Sequence, residues 1–474
     1  MTPRTKRIIL LVVAAQLALT VGIFALPRVV QALPGRYLVR LQNHPLTSGV
    51  VELVTTPFPR ALPVSGSDGQ GAVMAAAELP DIPGLEDAAV PSLLPTSTPT
   101  PRPTAATEET ASASDATAPA TAAPPTPTSE PSPTPTPTAT LEPLPERTVI
   151  DGLITVRQGF NNCGPANMTI VLNYYGDDTT QEEAAAYLKP NEEDRNVSPW
   201  QINDYVNEFT SLRSTAHSGG NMEMLKRLIA AGFPVVIEKG YEPQQGAEGW
   251  YGHYLTVFGY DETSQELYSR DTYLGPFDGR PRIDSYEEFN KWWQHFNYTF
   301  YVVYPPAEEA SVFSIIPDVL ENEISMWEYT ADLARQEIAA DPENVFPLFN
   351  LGVSLTRLGQ NTGDSSYYED AAIAFDQARD IGLPPRTLYY EHRPLMAYLK
   401  AGRIGDVLDL TEAMLQTPGG RYVEEIYWYQ GHALAAQGAL LEARTAYQNA
   451  LEVNPNFYPA QTSLDWVNSL INGE

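Results

Sequence analysis

The chain has 474 residues, 43% of them hydrophobic, a formal net charge of −30 and a pI near 4.5. The length exceeds one ordinary domain, so two or three are expected, and the acidity excludes nucleic acid as a partner, because phosphate binding needs a basic footprint. A single cysteine excludes any intramolecular disulfide.

Arg4, Lys6 and Arg7 precede an apolar stretch, residues 8–26, with Gln16 and Thr20 as its polar interruptions. Such a stretch just spans a bilayer, which takes about 20 residues. The following PRVVQALPG lacks a clear small-residue cleavage site, so residues 1–35 read as a membrane signal anchor rather than a cleaved signal peptide. The basic N-terminus is expected inside, with the bulk of the chain extracytoplasmic, although Arg28, Arg36 and Arg40 weaken the asymmetry. Residues 36–65, a short extracytoplasmic segment, contain YLVRL and VVELVTT, which either form a hairpin or pack on a later domain. Residues 66–146 are rich in Pro, Thr, Ala and Ser with almost no large apolar side chain, the composition of a linker that builds no core. Proline-rich chain rises about 3.1 Å per residue, so sixty residues reach on the order of 190 Å, as a stalk or a plain connection.

Residues 147–306 read as an α+β domain. Thr180 with Glu183 and Ser285 with Glu288 fit capping boxes. Ser198-Pro199 is a cap followed by proline at the first helical position, and Asn221 starts a helix that Gly232 and Pro234 end. Strands are predicted over 235–239, 253–260, 266–271 and 299–305. Helices come first and strands later, which favours α+β over alternating βαβ units.

Residues 320–472 carry apolar residues at helical spacing punctuated by glycine. Tyr427, Gly431, Leu434, Ala443, Tyr447, Ala450 and Pro455 fall at the small and large positions of a tetratricopeptide repeat. A second copy runs through Leu348, Leu351, Gly352, Ala371, Phe375 and Ala378, with an insertion around NTGDSSYY. A degenerate unit lies between them, around MAYLKAGRIGDVLDLTEAML. About three helix pairs are expected, with Tyr427, Leu434, Tyr447 and Ala450 buried between helices and a concave face for a protein partner.

The chemistry centres on RQGFNNCGPANMTIVLNYYG, residues 157–176. A polar loop enters Cys163, and apolar Ala166, Ile170, Val171 and Tyr174 follow at helical spacing. Cys163 thus sits at a helix start, where unpaired N–H groups and the helix dipole favour the thiolate, the species that attacks a carbonyl. The oxyanion formed needs fixed donors; Gln158 and the Cys163 N–H are suited. Of six histidines at 44, 217, 253, 295, 392 and 432, three fall in this domain. His253 opens an apolar strand, His217 lies in a polar loop and His295 in an aromatic helix. His253 is therefore the expected base. The imidazole needs an orienting acceptor, for which Asp271, ending the next strand, is better placed than Asp261, on the order of 26 Å along His253's own strand. Trp250 and Tyr251 either line a cleft or fill a core. No metal spacing or cofactor motif is present.

QGFNNCGPANMTIVLNYYG, then GHYLTVFGYD, then a strand ending RDTYLGP resembles the bacteriocin-processing cysteine peptidases of family thirty-nine, and more closely their stand-alone relatives. The resemblance covers roughly residues 150–306. It implies a papain-like cysteine peptidase fold, a triad of Cys163, His253 and Asp271, Gln158 in the oxyanion hole, and a peptide or protein substrate. Two departures stand out: Asp271 is followed by threonine where the family often has proline, and no ATP-binding transporter domain is attached. The same triad would serve an amidase or acyltransferase, and the third alternative is a non-catalytic binding module on a stalk.

Overall fold

The computed structural model describes residues 143–242, 249–417 and 419–473, the segment 61–64, and isolated positions 16, 30, 33 and 41. All of the anchor read at 8–26 except position 16, most of 36–65 and nearly all of 66–146 lie outside these residues. No helix among the described residues is long and apolar enough to cross a membrane.

The chain enters through β1 (Arg147–Val149) and turns into α1 (Cys163–Tyr174). Next come α2 (Gln181–Leu188), α3 (Pro199–Phe209), β2 (Arg213–His217) and α4 (Met222–Ala230). Most capping signals act as the sequence implies; Ser285 accepts from the Glu288 N–H over 3.2 Å, but the Glu288 carboxylate accepts from Trp292 Nε1 and closes no reciprocal box. Thr180 and Glu183 form a reciprocal box, Pro199 occupies the first position of α3, and the Asn221 side chain accepts from the Met224 N–H. The remainder is β3 (Val235–Tyr241), β4 (Tyr251–Asp261), β5 (Glu266–Arg270), β6 (Arg282–Ser285), α5 (Tyr286–Gln294) and β7 (Phe300–Tyr304).

All strand pairs are antiparallel, in the order β2-β7-β3-β4-β5-β6, with β1 pairing the far end of β4. Four strands coincide with apolar runs. The other three, β1, β2 and β6, escape that signal, β2 (RSTAH) for a legible reason. Its small polar residues are buried and satisfied internally: the Ser214 hydroxyl donates to Asn203 Oδ1 over 2.6 Å, and Thr215 Oγ1 lies 2.9 Å from His217 Nε2. His217 thus ends a buried strand, not a polar loop. The other two unforeseen strands, β1 and β6, are only 3 and 4 residues long and largely exposed.

After a short helix α6 (Glu309–Phe313) the chain is helical: α7 (Glu323–Ala340), α8 (Val345–Thr362), α9 (Ser366–Ile381), α10 (Arg393–Lys400), α11 (Ile404–Leu415), α12 (Glu424–Ala436), α13 (Leu440–Val453) and α14 (Tyr458–Asn472). The pairs α8/α9, α10/α11 and α12/α13 are consistent with helical repeats. Glycine marks where the helices of a pair touch: a Cβ on Gly352 would stand 2.5 Å from the Phe375 ring, and one on Gly431 2.4 Å from Tyr447. The insertion around NTGDSSYY is absorbed as extra helix, since α8 has 18 residues against 13 in α12. Tyr447 and Ala450 are fully buried, but Tyr427 and Leu434 are only half-buried against the core.

The helices are joined to the sheet domain by a continuous apolar core. Phe346 stacks on His295 with centroids 3.4 Å apart, Asn350 Nδ2 donates to the Gln294 carbonyl over 2.7 Å, and Asn297 Nδ2 reaches Ser354 Oγ over 3.1 Å. Of residues 36–65, the segment 61–64 packs on these helices: Leu62 is buried and its N–H donates to the Leu383 carbonyl over 2.8 Å.

Candidate active site

The turn before α1 is built to aim Cys163. Asn161 adopts a left-handed φ of 55°, which asparagine tolerates better than most residues. Its amide donates to the Glu193 carbonyl over 3.2 Å, and Gly159 N–H donates to Gln181 Oε1 over 2.9 Å. Cys163 then begins the helix half-exposed, with no acidic side chain in the first turn. Pro165 has no N–H and the Ala166 N–H donates to the Asn162 carbonyl over 2.9 Å, so the Cys163 and Gly164 N–H groups are the ones without an acceptor in the helix.

His253 sits in β4 opposite Lys239 of β3. Its Nε2–H donates to Asp271 Oδ1 over 2.9 Å, and Cys163 lies near enough to the same ring to favour its charged form. Burial alone would push the imidazole down; Asp271 and Cys163 outweigh it and raise it to about 9. Asp271 is itself buried, and its carboxyl is held below the usual range despite that burial, by His253, the Leu274 N–H and Arg282. Oδ1 also accepts from the Tyr273 and Leu274 N–H groups over 2.9 and 2.8 Å, and Oδ2 accepts from Arg282 Nη1 over 2.8 Å. Arg282 in turn forks onto Asp284 through two 2.8 Å bonds. The carboxylate therefore has four donors fixing it, and the ring it holds has little freedom.

The competitors lie elsewhere. Asp261 is at the far end of β4, paired with Arg147 at 3.3 Å. His217 Nδ1 contacts the Leu320 carbonyl at 2.9 Å, and burial lowers it to about 4. His295 accepts from Trp250 Nε1 over 2.9 Å and is lowered to about 3 by burial and nearby lysines. Trp250 is thus core, stacked on Phe296 and tilted against Phe346, while Tyr251 is half-buried against Tyr241 and Tyr273.

Gln158 joins the same cluster through a chain of bonds whose direction is determined. Asn167 is fully buried in α1; its amide donates to the carbonyls of Cys163 (2.9 Å) and Tyr254 (3.1 Å), which accept only. Its nitrogen is therefore assigned, and Thr256 donates to its oxygen over 2.8 Å. That nitrogen also faces Thr272 Oγ1 at 3.2 Å, so the Thr272 hydroxyl is left to donate to Gln158 Oε1, 2.8 Å away. A second bond, Gln158 N–H to the Thr272 carbonyl over 2.9 Å, fixes the backbone. With its oxygen engaged, the Gln158 amide nitrogen is the end left for a ligand. Asn167, Thr272 and Arg282 were not singled out as site residues from sequence. Asn167 carried a signal, a polar residue four positions after Cys163 within an apolar helix. Thr272 was visible only as a departure from the family pattern.

Two further buried groups border the cluster. Glu238, beside the Tyr254 hydroxyl, is held well above the usual carboxylate range by burial and by the Cys163 and Glu391 charges. Lys239 is lowered to about 8 by burial and Arg282. On the open side, Tyr273 and Leu274 are exposed, with the Tyr273 ring 6.2 Å from His253. Among the described residues no group of three His, Cys, Asp or Glu side chains could hold a metal ion.

Residues 150–301 match the Peptidase_C39 like family, 152 of the 474 residues. The matched span begins just after β1 and ends within β7, enclosing Gln158, Cys163, Asn167, His253, Asp271, Thr272 and Arg282. No curated protein matches the chain.

Proposed function

We propose that this C39-like domain is a papain-like cysteine peptidase that cleaves peptide bonds with Cys163 as nucleophile, His253 as general base and acid, Asp271 as orienter and Gln158 as oxyanion donor. The observation that carries the proposal is the continuous line from the Cys163 thiol at a helix start, through His253, to a carboxylate fixed by four donors. Cys163 Sγ, its proton taken by His253, attacks the scissile carbonyl, and the Gln158 amide and the Cys163 N–H receive the oxyanion. Collapse breaks the C–N bond, and His253 returns its proton to the leaving amine. Water, deprotonated by His253, then cleaves the thioester and releases the acid. Exposed Tyr273 and Leu274 beside His253 offer apolar contact to an extended substrate.

The test is reaction with a peptidyl electrophile, followed by mass spectrometry of the modified residue and by peptide hydrolysis. Adduct formation at Cys163, lost in His253→Ala along with hydrolysis, supports the reading. A Cys163 that takes iodoacetamide but no peptidyl electrophile, with no peptide cleaved, sinks it. If an added amine captures the acyl group faster than water does, the enzyme is an acyltransferase built on the same thioester.

From sequence we further propose that residues 8–26 tether the protein to the membrane, with the peptidase outside the cytoplasm. The tetratricopeptide reading of the helical array is supported by the close approaches at Gly352 and Gly431. Its exposed side is proposed to recruit the protein substrate. Ile373→Asp and Leu441→Asp, at positions 55% and 56% exposed, should then raise KM for that substrate without changing turnover of a short peptide.

A further inference from the structure

Arg379 of α9 is 2% exposed, and a buried guanidinium has to find acceptors for its five N–H donors. Within the array it finds Asp406, through Nη1 over 2.8 Å, and the face of Tyr398, 5.2 Å from the ring centroid. Two further acceptors come from more than 300 residues upstream: Nε donates to the Pro63 carbonyl over 2.8 Å, and Nη2 to the Val64 carbonyl over 3.1 Å. One residue earlier, Leu62 is buried and its N–H donates to the Leu383 carbonyl. Ala61 lies against Gly382, whose added Cβ would stand 3.7 Å from the alanine methyl. Ala61, Pro63 and Val64 are otherwise exposed, so one side chain is enclosed and the backbone is read. This is how an extended peptide is recognised: a socket for one apolar residue, and donors aimed at consecutive carbonyls. Proline suits the second position, because it presents a carbonyl and no N–H that would need a partner.

We propose that the corner formed by Arg379, Gly382 and Leu383 is a peptide-binding site, and that the chain's own Ala-Leu-Pro-Val, residues 61–64, is its resident ligand. The chain is anchored again at Pro145 and Glu146, whose carbonyls accept from the Tyr260 hydroxyl (3.0 Å) and the Glu262 N–H (2.9 Å). The Pro/Thr-rich segment thus joins two points fixed on one body. The contact is small, one leucine and three hydrogen bonds, so it opens and recloses. Any extended segment of the same chemistry can take the socket when it is open.

Trypsin reports on this directly, because the Arg60–Ala61 bond can enter a protease only when 61–64 leave the socket. In the full-length protein, cleavage at Arg60 should be slow. Leu62→Asp, which leaves the array intact, should speed it by about tenfold, and Arg379→Gln should do the same, matching a latch that is open about a tenth of the time. Millimolar ALPVSGSD peptide should accelerate cleavage of the wild-type protein and leave Leu62→Asp unaffected. A wild-type rate equal to that of Leu62→Asp and insensitive to the peptide overturns the proposal. So does acceleration by Arg379→Gln alone, which would mark a destabilised array.

Discussion

The bond chain from Asn167 to Gln158 makes a quantitative prediction about Thr272→Val. Valine keeps the shape and deletes the hydroxyl that donates to Gln158 Oε1. The Asn167 amide keeps its acceptors on Cys163 and Tyr254, and the backbone bond from Gln158 to residue 272 is untouched, so folding should change little. What is lost is the preference for one orientation of the Gln158 amide. A hydrogen bond worth about 0.5–1.5 kcal/mol net biases that orientation about 2- to 12-fold, and kcat/KM should fall by a factor in that range. Gln158→Ala removes the donor itself and should cost about 10²–10³. Because Thr272 acts only through Gln158, adding Thr272→Val to Gln158→Ala should cost nothing further. The assay is a double-mutant cycle on peptide hydrolysis, with melting temperatures as control. Equal losses from Thr272→Val in both backgrounds would refute the assignment of Thr272 as a positioning residue.

Four other outcomes are expected. Alkylation of Cys163 at pH 6.5 should slow by about tenfold or more in His253→Ala, which lacks the neighbouring base; mass spectrometry of the labelled peptide measures it. His253 is raised to about 9 from an ordinary 6.5, so its pairing with Asp271 stabilises the fold fully below pH 6.5, and this is lost as pH rises through 9. The gap between melting curves of Asp271→Asn and wild type should therefore be widest near pH 6 and narrow as pH passes 9, down to the part that the Arg282 ion pair contributes at every pH. Truncation after Pro306 uncovers the surface that holds Phe346, Asn350 and Ser354; near-UV circular dichroism should show loss of fixed packing, and a hydrolysis assay the loss of short-peptide turnover. Gly431→Ala forces a methyl into the Tyr447 ring and should cost about 1–3 kcal/mol by overpacking, read from urea unfolding.

Legibility in the sequence followed the physics of each element. Capping residues and the apolar strands were readable because each signal is local: Thr180, Asn221 and the run around Val257 dictate their own conformations. β2 was not, since Ser214 and Thr215 belong in the interior only once Asn203 and His217 are there to bond them. Cys163, His253, Asp271 and Gln158 could be singled out because reactive side chains at a helix start and at strand ends are few. Their supports, Asn167, Thr272 and Arg282, were hidden, because a hydrogen-bonding partner in space leaves no periodic mark in the chain. The depth of the seam between sheet domain and helices was equally invisible: Phe346 and Asn350 read as ordinary helix-face residues until His295 and Gln294 are placed opposite them.

The anchoring at Val64 and again at Pro145 turns the intervening 80 residues, 65–144, into a closed ring with the folded body as its clasp. Ring closure depends only weakly on circumference: doubling the number of residues costs about 0.6 kcal/mol. Such a segment can lengthen, shorten or drift in composition through evolution while the clasp stays nearly as shut as before. A single nick anywhere in it has the larger effect. The two ends then meet by diffusion instead of by tether, the local concentration of order millimolar that held them together disappears, and the Arg379 socket is vacated without any change to the residues that form it.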